Sequence, residues 1–502
     1  MLVQMNRHIA TLIVATLVVS MGGCGDALNS SFVYSEQTQA LMPQAQKGFP
    51  VKGDVKALPG ARQLLDDRFG NPQSLNAWSK LPIDFGGVTG TVVAIPDTKT
   101  LILNFDAEVP VQTDEPLKLQ FVTGPAAAIV VQIDKLSEAW TASLSGNLET
   151  LIKAHNDNNQ GEEPRSIPVA GDVVVIDGGG VLQHGRGLYM RHCSHCHGTS
   201  GDGNGPTAQY LVPRPRDYRH GVFKFTSTND LSKVSRDDIH RVITNGIPGT
   251  YMPSFVPMLN EQNRHAVVEY VRFLAMRGEF ERKIAVELSS DFSKEALGSR
   301  LEAGDSKEDV IDNLRDFLAV DMTDSLEFVS DDLASKWTTA DTDDAVITPD
   351  VSRIADTPES RRIGRELYLS KAINCAACHG IAGKGNGPQT TIYEKNTVTG
   401  ELYDTPGLHD VWDNVNQPRN LTRGIYRGGR RPVDLFRRIH AGIKGSRMPS
   451  FKILQHEQIW HIVNYVLSIP FEPMPGHASG VAAPAEATPA ATDAAAAASV
   501  VE

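Results

Sequence analysis

The chain has 502 residues, 41% of them hydrophobic and 22% charged, with a formal net charge of −12 at pH 7. That length exceeds what one hydrophobic core organises and calls for several domains, while the composition is ordinary for globular protein. The negative balance excludes the basic surface that nucleic-acid binding requires, so no nucleic acid is expected as a partner.

At the N-terminus, Arg7 and His8 precede an apolar run over residues 9–21. This length suits a signal h-region and is short for a membrane span of about 20 residues. "MGGCGD" follows, with Cys24 behind two glycines. The stretch resembles the lipobox of bacterial lipoproteins, with Met21 where that pattern usually has Leu. The resemblance implies export, cleavage after the signal (1–24), lipidation of Cys24 and a protein held on the periplasmic face of a membrane. A plain secretory signal and an uncleaved anchor helix are the alternatives. Residues 25–84 lack periodicity and are expected to tether the body to that membrane.

Residues 85–177 contain "GGVTGTVVAI", "TKTLILNF", "PLKLQFVTG", "AIVVQI" and "GDVVVIDG". β-Branched runs bounded by Gly, Pro and Asp predict strands, hence an N-terminal small β domain, a sandwich or a barrel. It contains no cysteine, which excludes a binuclear thiolate copper site and leaves a docking or spacer role.

The next segment, 178–280, carries "RHCSHCHGTSGDGNGP", and 353–475 carries "NCAACHGIAGKGNGP". The five cysteines of the chain are Cys24 and the two pairs Cys193/Cys196 and Cys375/Cys378. If Cys24 bears lipid, no thiol remains for a structural disulfide. A redox dithiol does not explain a histidine immediately after each second cysteine. A zinc ribbon needs its pairs close, and these are far apart in sequence. C-x-x-C-H is the spacing of covalent haem attachment. One helical turn presents two sulfurs to two vinyl groups, and the following residue, His197 or His379, falls beneath the iron as a ligand. The glycines that follow do not form a phosphate loop, since no Lys-Ser or Lys-Thr closes the run.

Downstream of each motif a second repeat appears, "GIPGTYMPSF" (246–255) and "GIKGSRMPSF" (442–451). Met252 and Met448 are the candidate distal ligands, thioethers that favour reduced iron. Met258, His220 and His240 are rivals in the first module, His409 and His440 in the second. A third repeat, "LNEQNRHAVVEYVRFLA" (259–275) and "LQHEQIWHIVNYVLSI" (454–469), reads as amphipathic closing helices. "GRGLYM" and "GRELYL" begin a helix before each C-x-x-C-H.

Attachment motif, methionine loop and closing helix in that order resemble class I c-type cytochromes, over roughly 180–280 and 355–472. The resemblance implies two all-α domains in which the first and last helices cross, with Tyr189 against Tyr270 and Tyr368 against Tyr465. It implies two covalently bound haem c groups on Cys193, Cys196, Cys375 and Cys378. Their irons would lie between His197 and Met252 and between His379 and Met448. It also implies a proline carbonyl that accepts from each imidazole; Pro206 and Pro388, or Pro213 and Pro418, are the candidates. Arg214, Arg216 and Arg419 are candidate propionate partners, with a solvated arginine as the default. The second module departs from the pattern by a long insertion, 392–414.

Between the modules, eighteen acidic and five basic residues lie from Glu287 to Asp350, enough to account for the whole net charge. Residues 281–352 are expected as an acidic linker, merely solvated or a surface for a basic partner. Residues 476–502 are an Ala/Pro-rich tail, expected to be disordered. The implied function is single-electron transfer by a membrane-tethered dihaem cytochrome c. Its expected partners are redox proteins, either subunits of a quinol-oxidising or terminal oxidase complex or a soluble cytochrome. A dihaem peroxidase is the alternative, an enzyme that would need one iron open to peroxide.

Overall fold

The computed structural model describes residues 31–472, except 51–56, 79, 106–116, 138, 159–162, 177–178 and 397–398. The apolar run at 9–21, Cys24 and the Ala/Pro tail lie outside the described residues. The chain opens with α1 (Glu36–Ala40), α2 (Pro43–Lys47), a ribbon of β1 (Gly48–Phe49) with β2 (Leu58–Pro59), and α3 (Ala61–Phe69). These residues do not form the expected tether. Phe32, Leu41, Leu65 and Phe69 are buried in one core with the first module's helices. Elements of two to nine residues are too short to show a period in sequence, which hid them.

Six strands follow: β3 (Val88–Asp97), β4 (Thr100–Phe105), β5 (Leu117–Phe121), β6 (Val130–Leu136), β7 (Thr141–Leu144) and β8 (Val173–Ile176). They close into an antiparallel barrel in the order β3-β4-β7-β6-β5-β8. Alternate residues point inward, as with Leu101, Leu103 and Phe105 on β4. Closure removes the free edges that an open sheet of this size would expose. The helix α4 (Leu148–Asn158) adds Leu148 and Ile152 to the barrel core. Neither β7 nor α4 is among the elements expected from sequence, because "TASL" has no β-branched run to mark it.

The first module has α5 (Gly180–His192), the single turn α6 (Ser194–His197), α7 (Arg236–Asn245) and α8 (Glu261–Phe292). Next come α9 (Lys294–Ala303), α10 (Lys307–Ala319) and α11 (Asp321–Thr339). The second module has α12 (Pro358–Leu369), the turn α13 (Ala376–His379), α14 (Pro432–Ala441) and α15 (His456–Ser468). α5 crosses α8, and α12 crosses α15. Glycine permits both crossings: a Cβ on Gly185 would overlap the carbonyl of Ala266, and one on Gly364 the carbonyl of His461.

The closing helix of the first module does not end near residue 275. It runs 32 residues to Phe292, roughly 48 Å at 1.5 Å per residue, through the expected boundary at 280. Residues 281–352 are likewise not a solvated linker. Val310, Leu314 and Leu318 on α10, and Met322, Leu326, Val329, Leu333 and Trp337 on α11, recur at helical spacing and are buried. Their acidic neighbours Asp309, Asp312, Asp316, Asp321 and Asp324 occupy the outer face. Charge density concealed an apolar stripe that sinks half of each turn.

Packing on every side of residues 266–281 of α8 buries charges on that helix. Glu269 accepts from Arg236 Nε at 2.6 Å and from the backbone N–H of Asp84 at 2.8 Å. Arg272 donates to Asp341 at 2.9 Å and to the Pro82 carbonyl at 3.0 Å. Arg277 pairs with Glu281 at 3.1 Å, and Glu281 accepts from Ser35 N at 2.6 Å and Thr38 Oγ1 at 2.8 Å. Trp337 Nε1 donates to Glu279 at 3.1 Å. The N-terminal segment and the acidic helices therefore supply partners for charges the helix cannot satisfy alone. No helix among the described residues is long and apolar enough to cross a membrane.

Asp341 bridges Arg236 and the fully buried Arg272. Its replacement by Ala strands a buried cation, and the unfolding free energy is expected to fall by about 3 kcal/mol. The measurement is the urea midpoint; adding Arg272→Met in the same chain should recover part of the loss.

Candidate functional site

Each C-x-x-C-H forms one helical turn at the end of a longer approach. Cys193 caps α5 and starts α6, and its N–H donates to the Tyr189 carbonyl at 2.8 Å. Tyr189 and Tyr270 pack with ring centroids 5.1 Å apart, and the Tyr189 hydroxyl donates to the Gly198 carbonyl at 2.9 Å. The second module repeats this with Tyr368 and Tyr465 at 5.4 Å and the Tyr368 hydroxyl on Gly380 at 2.7 Å. The crossing helices thus grip the turn that carries the motif.

The four described cysteines are free thiols. Burial pushes Cys193 up to about 12 and Cys375 up to about 11, so both stay protonated at neutral pH. A redox dithiol or thiolate metal site needs the opposite shift. No group of three or more His, Cys, Asp or Glu among the described residues is placed to hold a metal ion.

His197 is half-buried, and desolvation pushes its pKa down to about 4; burial lowers His379 in the same direction. Both imidazoles are therefore neutral at pH 7. Nδ1 of His197 lies 3.2 Å from the carbonyl of Arg216, and Nδ1 of His379 lies 3.3 Å from that of Arg419. A carbonyl only accepts, so Nδ1 carries the proton and Nε2 keeps a lone pair for a ligand. The acceptor is not Pro206, Pro213, Pro388 or Pro418 itself. It is the residue after a proline, in Pro215–Arg216 and Pro418–Arg419. The sequence drew attention to these arginines for their guanidinium groups, while the backbone carbonyl makes the contact.

The glycines after each motif hold that carbonyl near the ring. Gly203, at φ +73°, would place a Cβ 2.8 Å from the Pro215 oxygen. Gly385, at φ +76°, would place one 2.5 Å from the Pro418 oxygen. Their N–H groups donate to the carbonyls of His197 at 2.9 Å and His379 at 2.8 Å.

The methionine loops are built alike. Ile247 N donates to Met252 O at 3.0 Å, and Ile443 N to Met448 O at 3.1 Å. Ser254 Oγ and Ser450 Oγ tie the loops to α7 and α14 at 2.6 and 2.7 Å, through the carbonyls of Thr244 and His440. Met252 and Met448 pack against their module cores. The rival histidines are occupied elsewhere. His220 lies against Arg282, His240 pairs with Glu261, His409 stacks on Tyr403, and His440 packs on Phe436. None of them lines the cavity described next, which Met258 does line from a half-exposed position.

Cys193, Cys196, His197 and Met252 line the same cavity as Cys375, Cys378, His379 and Met448, a mostly apolar space of about 920 Å³. Ligand cavities reach this size at the upper end of their range of roughly 300–1,000 Å³. The modules are therefore not separate shells; their candidate sites open onto one another. Two further contacts make the pairing nearly reciprocal. A Cβ on Gly249, in the first methionine loop, would meet the Arg419 guanidinium at 2.5 Å. A Cβ on Gly445, the matching residue of the second loop, would meet Trp412 at 2.7 Å, and Trp412 covers Arg216.

Arg214, Arg216, Arg419, Arg427 and Arg438 line the cavity. The solvated default fails for Arg216, which lies 3.7 Å over the Trp412 ring with its side chain only 20% exposed. Arg438, which the sequence did not single out, donates to the Asp434 carbonyl at 2.9 Å, and burial pushes its pKa down to about 10. Arg427 Nε and the Trp412 indole N–H are buried without an acceptor among the described residues. The donor set fits haem c. It has two pairs of free thiols, neutral imidazoles with a free Nε2, thioethers lining the same cavity, and in Arg427 a buried cationic donor suited to a carboxylate.

Residues 180–271 match the family model described as cytochrome C oxidase, cbb3-type, subunit III, and residues 362–470 match the model described as cytochrome c. No curated protein matches the chain. Among solved structures it is similar to a chain of the Kuenenia stuttgartiensis reducing HAO-like protein complex, at 22% identity and a TM-score of 0.39, over 57% of this chain and 96% of that one. The chain therefore carries two cytochrome c-type domains, which support reading it as a multihaem c-type cytochrome, with haem c as the implied cofactor and electron transfer as the implied activity.

Proposed function

We propose that the protein is a dihaem cytochrome c that relays single electrons and performs no substrate chemistry of its own. The observation that carries this reading is the single cavity lined by both C-x-x-C-H motifs and both M-P-S-F loops. Cys193, Cys196, Cys375 and Cys378 would hold the porphyrins, with His197 and Met252 on one iron and His379 and Met448 on the other. Bound there, haem c supplies a reversible one-electron iron couple. The chain's residues set its terms. The carbonyls of Arg216 and Arg419 keep the proton on Nδ1 and orient each ring. The thioethers favour the reduced state. The apolar wall excludes water and lowers the local dielectric.

The sequence supports export and a lipid anchor at Cys24, which would tether the protein on the periplasmic face of a membrane. The likeness of residues 180–271 to an oxidase-subunit model supports a redox partner within a respiratory complex. A peroxidase would need one site that opens. Both modules bring an equivalently bonded methionine loop to the cavity, which favours the carrier.

A reduced pyridine spectrum of the purified full chain should report two covalently held c-type haems, and cyanide should bind neither iron readily. One haem, or rapid peroxide turnover, would sink the reading. Met448→His should leave both haems attached and lower one of two potentials in a redox titration. An unmoved titration removes Met448 from the ligand set.

A further inference from the structure

The insertion at 392–414, by which the second module departs from the first, does not sit over its own module alone. A turn at its C-terminal end, residues 410–414, reaches the loop that carries the imidazole partner of the other one. Trp412 lies under the Arg216 guanidinium, 3.7 Å from ring centroid to Cζ. Asp410 Oδ2 accepts from Lys224 Nζ at 2.8 Å and lies 3.9 Å from Arg216 Nη1. These side chains are largely removed from water, with 20% exposure for Arg216, 11% for Lys224 and 6% for Asp410. The turn is braced from within. Asp410 Oδ1 accepts from the N–H groups of Trp412 and Asn414, both at 3.1 Å, and Val411 N donates to the Gly445 carbonyl at 3.1 Å. Arg216 is the residue whose carbonyl holds His197.

We propose that the inserted loop of the second module tunes the first, with Asp410 and Trp412 as positioning residues that hold Arg216 and so set the potential of the site built on His197. The proposal rests on the dihaem reading above. Oxidation adds one positive charge at that site. Two cations, Arg216 and Lys224, share one carboxylate beside it, in surroundings where charges are poorly screened. Each unit of uncompensated positive charge there disfavours the oxidised state and raises the potential; each cation removed or exposed to water lowers it. Trp412 matters by keeping Arg216 dry and fixed through a cation–π contact. Among the described residues Arg419 has no such ion pair or ring contact; its Nε donates to the Ile425 carbonyl at 2.8 Å and its guanidinium faces the Gly249 turn of the first module. The two sites, otherwise repeats, are made unequal by this loop.

The test is a spectroelectrochemical titration of the full-length holoprotein in a Met448→His background, where the lowered step marks the second site. Asp410→Asn keeps the Oδ1 acceptor that the turn needs and removes the charge, and it should raise the first potential. Lys224→Met removes a cation from the same pair and should lower it. Trp412→Ala should lower it too, and Trp412→Phe should give a smaller shift in the same direction. Each variant is accompanied by a pyridine haem count. Fewer than two haems in the parent chain would defeat the dihaem reading itself. Two haems with a first potential unmoved by Asp410→Asn and Lys224→Met overturn the tuning alone. So do shifts of the same sign in both, or both steps moving together.

Discussion

At Gly185 and Gly364 the opening helix of each module lies so near the closing helix that no side chain fits between them. That close approach positions everything else in the site. It packs Tyr189 tilted against Tyr270 and Tyr368 edge-on against Tyr465 and aims the hydroxyls of Tyr189 and Tyr368 at Gly198 and Gly380, just past each C-x-x-C-H turn. The turn is then caught between the crossing and the Pro–Arg segment, which accepts from the imidazole. Gly203 and Gly385 make that segment's approach possible, because a side chain there would collide with the Pro215 or Pro418 oxygen. Two backbone contacts that exclude a Cβ therefore fix an imidazole from both sides before any cofactor is considered.

The two modules solve the problem of stability differently. The second is compact, with a core formed by Tyr368, Phe436, Trp460, Val463 and their neighbours. The first extends its closing helix to Phe292 and buries residues 266–281 of it on all sides, against the N-terminal segment and the acidic helices. A helix buried in this way cannot keep Glu269, Arg272, Arg277 and Glu281 solvated. Each finds a partner, and most of the partners come from segments distant in sequence. Removing one partner from such a set leaves a desolvated charge, which is costlier than never having buried the pair. The wrap specifies one arrangement of the chain around this helix.

Facing the two sites into one cavity has a consequence for their individuality. Repeats that share a wall also share the charges along it. The methionine loop of the first module abuts Arg419, while that of the second abuts the tryptophan laid over Arg216. At the cavity this likeness is broken by the inserted loop, where a carboxylate and an indole from one domain enter the polar surroundings of the other.

The two cytochrome c-type domains were legible in the sequence because the motifs that mark them are local patterns. C-x-x-C-H spans one helical turn, M-P-S-F one loop, and the tyrosines recur in the same order within each repeat. Six short strands with alternating inward residues were also largely visible, though β7 was not, since Thr141–Leu144 carries no propensity signal. What the tertiary structure decided is what depends on partners far along the chain. Residues 31–84 looked like a tether because no element there is long enough to show a period. Residues 281–352 looked like a linker because acidic outer faces outweighed Leu314, Leu326 and Leu333 beneath them. The carbonyls of Arg216 and Arg419, the shared cavity and the reach of Trp412 leave no trace in local spacing. The carbonyl contacts arise when each module folds, the cavity and the Trp412 contact only when the two modules meet, and burial against a distant neighbour is a property of the pair, which no single stretch encodes.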